Sequence, residues 1–132
     1  MSTPLVSRID HFVLTVASVE ATCAFYRKAL GLEVVSFGGG RTALSFGEQK
    51  INLHQHGAEF VPHARTIAAG SGDFCLTTTV PLDEVIAHLQ AAGIEIEVGP
   101  VPKTGARSPL VSVYFRDPDG NLVEVSNERS AP

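Results

Sequence analysis

Cysteine is scarce in this chain. Cys23 and Cys75 are the only two, and neither belongs to a CxxC pair, which excludes a structural zinc site built from cysteines. Cys23 falls in a helical pattern and Cys75 in a strand pattern, so both are expected as small buried thiols. Positive charge is also in short supply. Ten Lys and Arg against 14 Asp and Glu leave a formal net charge of −4, the opposite of the basic face that nucleic-acid binding requires. No apolar run approaches the roughly 20 residues needed to cross a bilayer. The segment Met1–Arg8 has neither the charged start nor the apolar centre of a signal peptide. A cytoplasmic protein with no nucleic-acid or membrane partner is therefore expected. The 132 residues, 44% hydrophobic and 18% charged, suit one compact soluble domain, 1–132.

Within that length the same order of elements occurs twice. Residues Ile9–Val16 alternate like a strand, with His11, Val13 and Thr15 on one face. Ser18 can cap a helix over Val19–Leu30 that Gly31 ends, with Phe25, Tyr26, Ala29 and Leu30 as its buried stripe. Strands at Leu32–Phe37, Thr42–Phe46 and Lys50–His54 follow, separated by glycine turns. After a linker over Gly57–Gly72, broken by Pro62 and Gly70, the pattern returns. It gives a strand from Asp73 to Val80, a helix over Leu82–Ala92, and strands at Ile94–Val98, Leu110–Phe115 and Leu122–Val125. Asp117-Pro118-Asp119-Gly120 is a strong turn. The register sets Ile9-Asp10-His11 over Gly72-Asp73-Phe74 and His54 over Glu124, with an insertion at Val101–Pro109 in the second copy. The expectation is an α+β fold of two βαβββ units, 8–56 and 72–127, whose eight strands form one curved mixed sheet around a cup fit for a small ligand.

The residues IDHFVLTV, FYRKALGLEV, INLH and YFRDPDGNLVEVSN resemble the vicinal oxygen chelate superfamily. It includes glyoxalase I, extradiol dioxygenases, and fosfomycin- and bleomycin-resistance proteins. The loop GPVPKTGARSP and the C-terminal strand pair look most like its glyoxalase-domain-containing and bacterial virulence-associated members. The resemblance covers nearly the whole chain and implies the glyoxalase-like fold. It implies metal ligands on the first and last strand of each unit, places held here by His11, His54, Phe74 and Glu124. Phe74 cannot ligate and would face the substrate. His11, His54 and Glu124 would then hold one divalent ion, Fe, Mn, Zn or Ni, with open positions for water or substrate. Taken singly, each is equally a half-buried polar residue, but a glutamate between Val123 and Val125 needs a partner if buried.

The resemblance also sorts the remaining polar residues. His56 could act as acid or base, or sit at the surface. Tyr114, ten residues before Glu124, takes the place of the tyrosine that extradiol dioxygenases set near substrate, or packs in the core. Lys103 and Arg107 on the inserted loop could clamp an anionic substrate, or be solvated. His63 could reach the cup rim if the linker folds over it, and His88 lies on the polar side of its helix. Whole-chain likeness favours lactoylglutathione lyase-like chemistry on a small oxygenated substrate, with Glu124 moving a proton and the metal acting as Lewis acid. Two histidines and one carboxylate equally suit ring cleavage by an extradiol dioxygenase. A metal-free, resistance-type binding protein is the third reading. Small two-unit chains of this superfamily commonly pair as homodimers, which also covers open strand edges.

Overall fold

The computed structural model describes residues 3–130. Strand β1 (His11–Val16) leads into helix α1 (Val19–Leu30), then β2 (Glu33–Phe37), β3 (Arg41–Phe46) and β4 (Gln49–Gln55). The second unit runs β5 (Asp73–Thr77), α2 (Leu82–Ala91), β6 (Val98–Thr104), β7 (Pro109–Arg116) and β8 (Leu122–Glu128). This is the expected α+β arrangement of two βαβββ units. The strands form two four-stranded mixed sheets, ordered β1-β4-β3-β2 and β5-β8-β7-β6. In each, the first strand runs parallel to the last and the other pairs are antiparallel. The single eight-stranded sheet expected from the repeat does not form among the described residues, because β1 and β5 are both edge strands with no ladder between them. Among the described residues, no helix is long and apolar enough to cross a membrane.

The local signals act as their chemistry dictates. Ser18 Oγ accepts the Ala21 N–H at 3.1 Å, satisfying a donor that the first turn of α1 leaves free. Gly31 ends the helix at φ 69°, a left-handed cap that a side chain would strain. The stripe that α1 buries is Thr22, Cys23, Tyr26 and Ala29, while Phe25 and Leu30 pack partly exposed at its border. Helix α2 starts after Pro81, which has no capping side chain. The cap comes from β8 instead, as Asn127 Oδ1 accepts the Leu82 N–H at 2.8 Å.

One expectation fails at β6. Residues 94–97 are not strand, and the stretch read as an inserted loop is itself the strand Val98–Thr104, paired with β7. Pro100 and Pro102 suggested a loop because proline cannot donate to a ladder. An edge strand tolerates it where the missing N–H would face solvent, and a register shift between Val98 and Val101 absorbs the Gly99-Pro100 step. The true turn is the short Gly105–Ser108 segment, closed by the Gly105 N–H donating to Ser108 O at 2.9 Å.

The helix-facing sides of both sheets share one apolar core. Leu14, Val16, Ile51 and Leu53 of the first sheet join Val113, Phe115, Val123 and Val125 of the second, with Tyr26, Ala29 and Leu89 from the helices. A polar latch crosses this core. Tyr26 Oη donates to Asp117 Oδ2 at 2.7 Å, and Asn121 Nδ2 donates to the same oxygen at 2.8 Å. Asp117 Oδ1 accepts the Asp119 and Asn121 N–H groups, both at 3.0 Å. Asn121 Oδ1 in turn accepts the Gly72 N–H at 2.7 Å, just before β5. Gly72 has no room for a side chain, since a Cβ would stand 2.7 Å from Leu14 Cδ2. Burial first, and Asp117 second, push the Tyr26 hydroxyl far above its ordinary pKa, so it remains a donor.

Because hydrogen bonds to a charged group contribute about 1.5–3 kcal/mol, Tyr26→Phe should lower unfolding free energy by about that amount. Urea denaturation of the variant, with an unchanged m-value, checks this. A loss below about 0.5 kcal/mol would mean that Asn121 alone satisfies the carboxylate.

Candidate functional site

Strand pairing decides which side chains share a face. On the first sheet His11, Val13 and Thr15 stand opposite Lys50, Asn52 and His54. They alternate with the core residues Leu14, Val16, Ile51 and Leu53 and so lie on the face away from the helices. On the second sheet Cys75 and Tyr114 both stand opposite Glu124, and Ser112 stands opposite Ser126. The repeat follows from these pairs. Val13 opposite Asn52 matches Cys75 opposite Glu124, so Asn52 is the counterpart of Glu124, Ser126 that of His54, and Asp73 that of His11. This corrects the register read from sequence, which set His54 over Glu124 and Phe74 over His11. The Gly47-Glu48 turn is shorter than the one spanning residues 117–121, so counting across it slips the His54 match, while the Phe74 match is one residue out on β5 itself.

Glu124 is half-buried, and hydroxyls support it. Its Oε2 accepts Ser112 Oγ–H at 2.6 Å and Ser126 Oγ–H at 3.3 Å. The two serine oxygens lie 2.6 Å apart, and Cys75 Sγ lies 3.2 Å from Ser126 Oγ. Both serines are fully buried. Cys75 is exposed, contrary to expectation, because position 75 faces away from the core. The ion pairs among the described residues leave Glu124 without a cationic partner. The Tyr114 hydroxyl is pushed up to about 12, by burial first and then by Glu124, so it stays protonated at neutral pH.

His11 and His54 line a cavity of about 580 Å³ between β1, β5 and the linker. Phe74, Asp73 and His63 line it too, so the linker does fold over the first sheet. Phe74 also packs on Phe12, ring centroids 5.0 Å apart. His54 stands opposite Thr15, four residues beyond His11, or roughly 13 Å along the strand. It is 7% exposed under Phe60, at 5.7 Å between ring centroids, with its Nδ1 unpartnered. Glu124 does not line this cavity. The chain therefore does not bring His11, His54 and Glu124 together, and no cluster of three or more His, Cys, Asp or Glu side chains able to hold a metal forms among the described residues.

The other candidates separate. His56 is exposed and pairs with Glu59 at 3.4 Å, outside the cavity. His88 is exposed, its Nε2 2.9 Å from Lys28 O. Arg107 is committed to Glu128 through two bonds of 2.6 and 2.8 Å, so it is not a free clamp. Lys103 places its Nζ 5.6 Å from the centre of the Tyr114 ring.

The two faces carry donor types that divalent ions use, but on separate sheets. The first sheet offers His11 and the Asn52 amide, whose Oδ1 is buried without a hydrogen bond. The second offers Asp73 and Glu124. Imidazole with carboxylate oxygens suits Fe, Mn, Zn or Ni. Asp73, Asn52 and the two serines were missed from sequence. Matching Ile51-Asn52-Leu53 to Val123-Glu124-Val125, instead of matching strand ends, would have set Asn52 against Glu124.

Burial, then Arg41 and His63, hold the His54 imidazole below the ordinary histidine range, against the pull of Glu59. The unfolded chain then takes up the proton more readily. This contribution to stability is complete above about pH 6.5 and is lost as pH falls through that value towards the folded pKa. An NMR titration of the ring should give a midpoint below 6.5, and His54→Gln should flatten that part of the stability profile. A midpoint at or above 6.5 would show that Glu59 dominates.

With the geometry established, the chain can be set beside known proteins. Residues 8–125 match the model of the Glyoxalase/Bleomycin resistance protein/Dioxygenase superfamily. Virulence protein STM3117 of Salmonella typhimurium is 48% identical over 122 residues, 92% of this chain and 85% of that protein. Its crystal structure superposes with a TM-score of 0.93, covering 96% of this chain and 100% of that one. An integron cassette protein of V. cholerae, VCH_CASS1, gives 0.92 at 51% identity, covering 96% of this chain and 98% of that one. Lactoylglutathione lyase from Agrobacterium tumefaciens gives 0.71 at 30% identity, covering 94% and 96%. The two βαβββ units and their outward polar faces are thus those of a member of the glyoxalase, bleomycin resistance protein and dioxygenase superfamily, to which this chain belongs.

Proposed function

We propose that the protein is a divalent-metal-dependent enzyme of the glyoxalase type that chelates a small oxygenated substrate. The observation that carries this reading is Glu124, a half-buried carboxylate held by serine hydroxyls, with no cation paired to it among the described residues. A carboxylate drawn partly out of water without a counter-charge is disfavoured, and a metal ion would supply one. His11 and Glu124 remain ligands in this reading. Asp73 and Asn52 take the other two places, and His54 becomes part of the wall of the adjoining cavity. Likeness to lactoylglutathione lyase, at 30% identity, supports the reaction type.

A bound ion would act as a Lewis acid on substrate oxygens. Around it, Glu124 accepts the substrate proton, Tyr114 donates a hydrogen bond from a hydroxyl that stays protonated, and Lys103 offers positive charge at the rim. Extradiol ring cleavage is the second reading, favoured by Tyr114 standing opposite Glu124.

The two half-sets of ligands lie on different sheets, and β1 and β5 are both open edges. We place the complete site across a homodimer, where the first sheet of one protomer meets the second sheet of its partner. The exposed Leu5, Val6, Ile9 and Val13 on and before β1 would be covered by that pairing.

Protein purified without chelators should carry close to one divalent ion per chain and scatter light as a dimer. Metal at 100 times its Kd should add about 2.7 kcal/mol of stability, visible as a higher melting temperature that EDTA reverses. Glu124→Gln should stay folded, lose most of the metal, and show no such shift. Assays on hemithioacetals and on catechols separate the two reactions. A wild type that binds no divalent ion at micromolar concentration would sink both enzyme readings and leave a binding protein.

A further inference from the structure

The cavity under the linker does not include Glu124, and its walls fit a ligand of their own. Its volume is about 580 Å³, within the usual range of small-molecule sites. Strands β1 and β5 form two of its sides, and Phe12, Phe46 and Phe74 give the lining an aromatic character. The linker forms a further wall through His63, Thr66 and Ile67. Among the described residues, no backbone–backbone hydrogen bond involves residues 59–71. Side-chain contacts hold that wall in place, so it can adjust to a bound molecule at little cost.

One polar group is set into this lining without a partner. His54 is 7% exposed and lines the cavity, yet its enclosed Nδ1 has no hydrogen bond among the described residues. Buried polar atoms in folded proteins nearly always have one. The other two histidines of the lining have each engaged their Nδ1, His63 with Ala64 O and His11 with Asp10 Oδ1, both at 2.8 Å. Burial holds the His54 ring below the ordinary histidine range, so it offers one donor and one acceptor. A hydroxyl complements such a ring, because it too gives one hydrogen bond and accepts others. The ionic groups argue against an anion. Asp10 and Asp73 line the cavity, and no arginine does among the described residues. Lys50 lines it too, but its Nζ lies 3.7 Å from the centre of the Phe37 ring, which is not part of the lining.

We propose that this cavity binds a neutral, largely apolar ring molecule carrying a hydroxyl group, which pairs with the His54 imidazole. Such binding deepens the small-substrate part of the proposed function, and it needs neither a metal ion nor a partner subunit. The aromatic and aliphatic walls supply affinity by burying the ring. The hydroxyl supplies selectivity, since a ligand without it leaves the imidazole unpartnered.

The test is calorimetry in the presence of EDTA with 2-naphthol, its methyl ether and 2-naphthoate, which share one ring system and differ at one group. The wild type should bind 2-naphthol about tenfold more tightly than the ether, which cannot donate a hydrogen bond. It should bind 2-naphthoate most weakly, since the carboxylate meets Asp10 and Asp73 and no arginine. His54→Phe keeps a ring in place and removes both nitrogens, so it should bring 2-naphthol down to the level of the ether and leave the ether's affinity as it was. His54→Gln keeps a donor and an acceptor and should retain part of the preference. Amide NMR shifts of the wild type with 2-naphthol should concentrate at Thr15, Thr66 and Ile67, a measurement that needs no variant to fold. Equal affinity for 2-naphthol and its ether, tightest binding of 2-naphthoate, or a preference that survives His54→Phe would each overturn the proposal. So would shifts elsewhere in the protein, or no binding of 2-naphthol at all. Because EDTA is present throughout, these outcomes leave the metal reading untouched, and a failure of the metal reading leaves them unchanged.

Discussion

The contact on which the rest of the molecule depends is the bond from the Tyr26 hydroxyl to Asp117. It joins the helix of the first unit to the turn before the last strand of the second, across 91 positions of sequence. Asp117 also organises its own turn through three further bonds, and Asn121 carries the tie on to Gly72 at the start of β5. The turn that sets the register of β8 and the segment that delivers β5 are therefore held by one buried carboxylate. Glu124, Ser126 and Asp73 all hang from strands that this latch places. Apolar packing alone would bring the two sheets together but would not fix how far one is slid along the other, since hydrophobic contact is non-directional.

The division of labour between faces follows from this arrangement. Both sheets give their helix side to one common core, which leaves both outward sides for polar chemistry. On those sides polar groups repeat at the alternating positions of the pleat. His11, Asn52 and His54 lie on the first sheet, and Asp73, Glu124 and Ser126 on the second. The two sets are not equivalent. The linker and Phe60 cover the His54 end of the first face, while the second is backed by buried hydroxyls. A repeated unit has thus become one wall of a cavity and one anchored carboxylate.

Much of this was legible in the chain itself. Helix α1 could be bounded at both ends because Ser18 and Gly31 are local signals whose physics needs no tertiary partner. The repeat showed itself through the recurrence of strand, helix and glycine stop, and the Asp117–Gly120 turn through proline and glycine torsions. Strand β6 was not legible. Pro100 and Pro102 argue against a strand until it is known to be an edge, and edge position is a property of the sheet. Cys75 looked buried because it sits among apolar residues. Only the pairing of β5 with β8 shows that it shares the outward face with Glu124.

Sequence alone determined the order of elements, the two units, the apolar alternation that makes one face of each sheet core, and the histidine and carboxylates available for chemistry. Those are consequences of local torsion preferences and of side-chain periodicity, which the chain carries wherever it goes. Tertiary structure decided which of those groups can act together. A slip of two residues in strand matching exchanges His54 for Asn52 as the counterpart of Glu124 and leaves the alternation intact, so periodicity could not distinguish them. The choice was made by backbone hydrogen bonds between β1 and β4 and between β5 and β8, non-local pairings whose register no single strand contains.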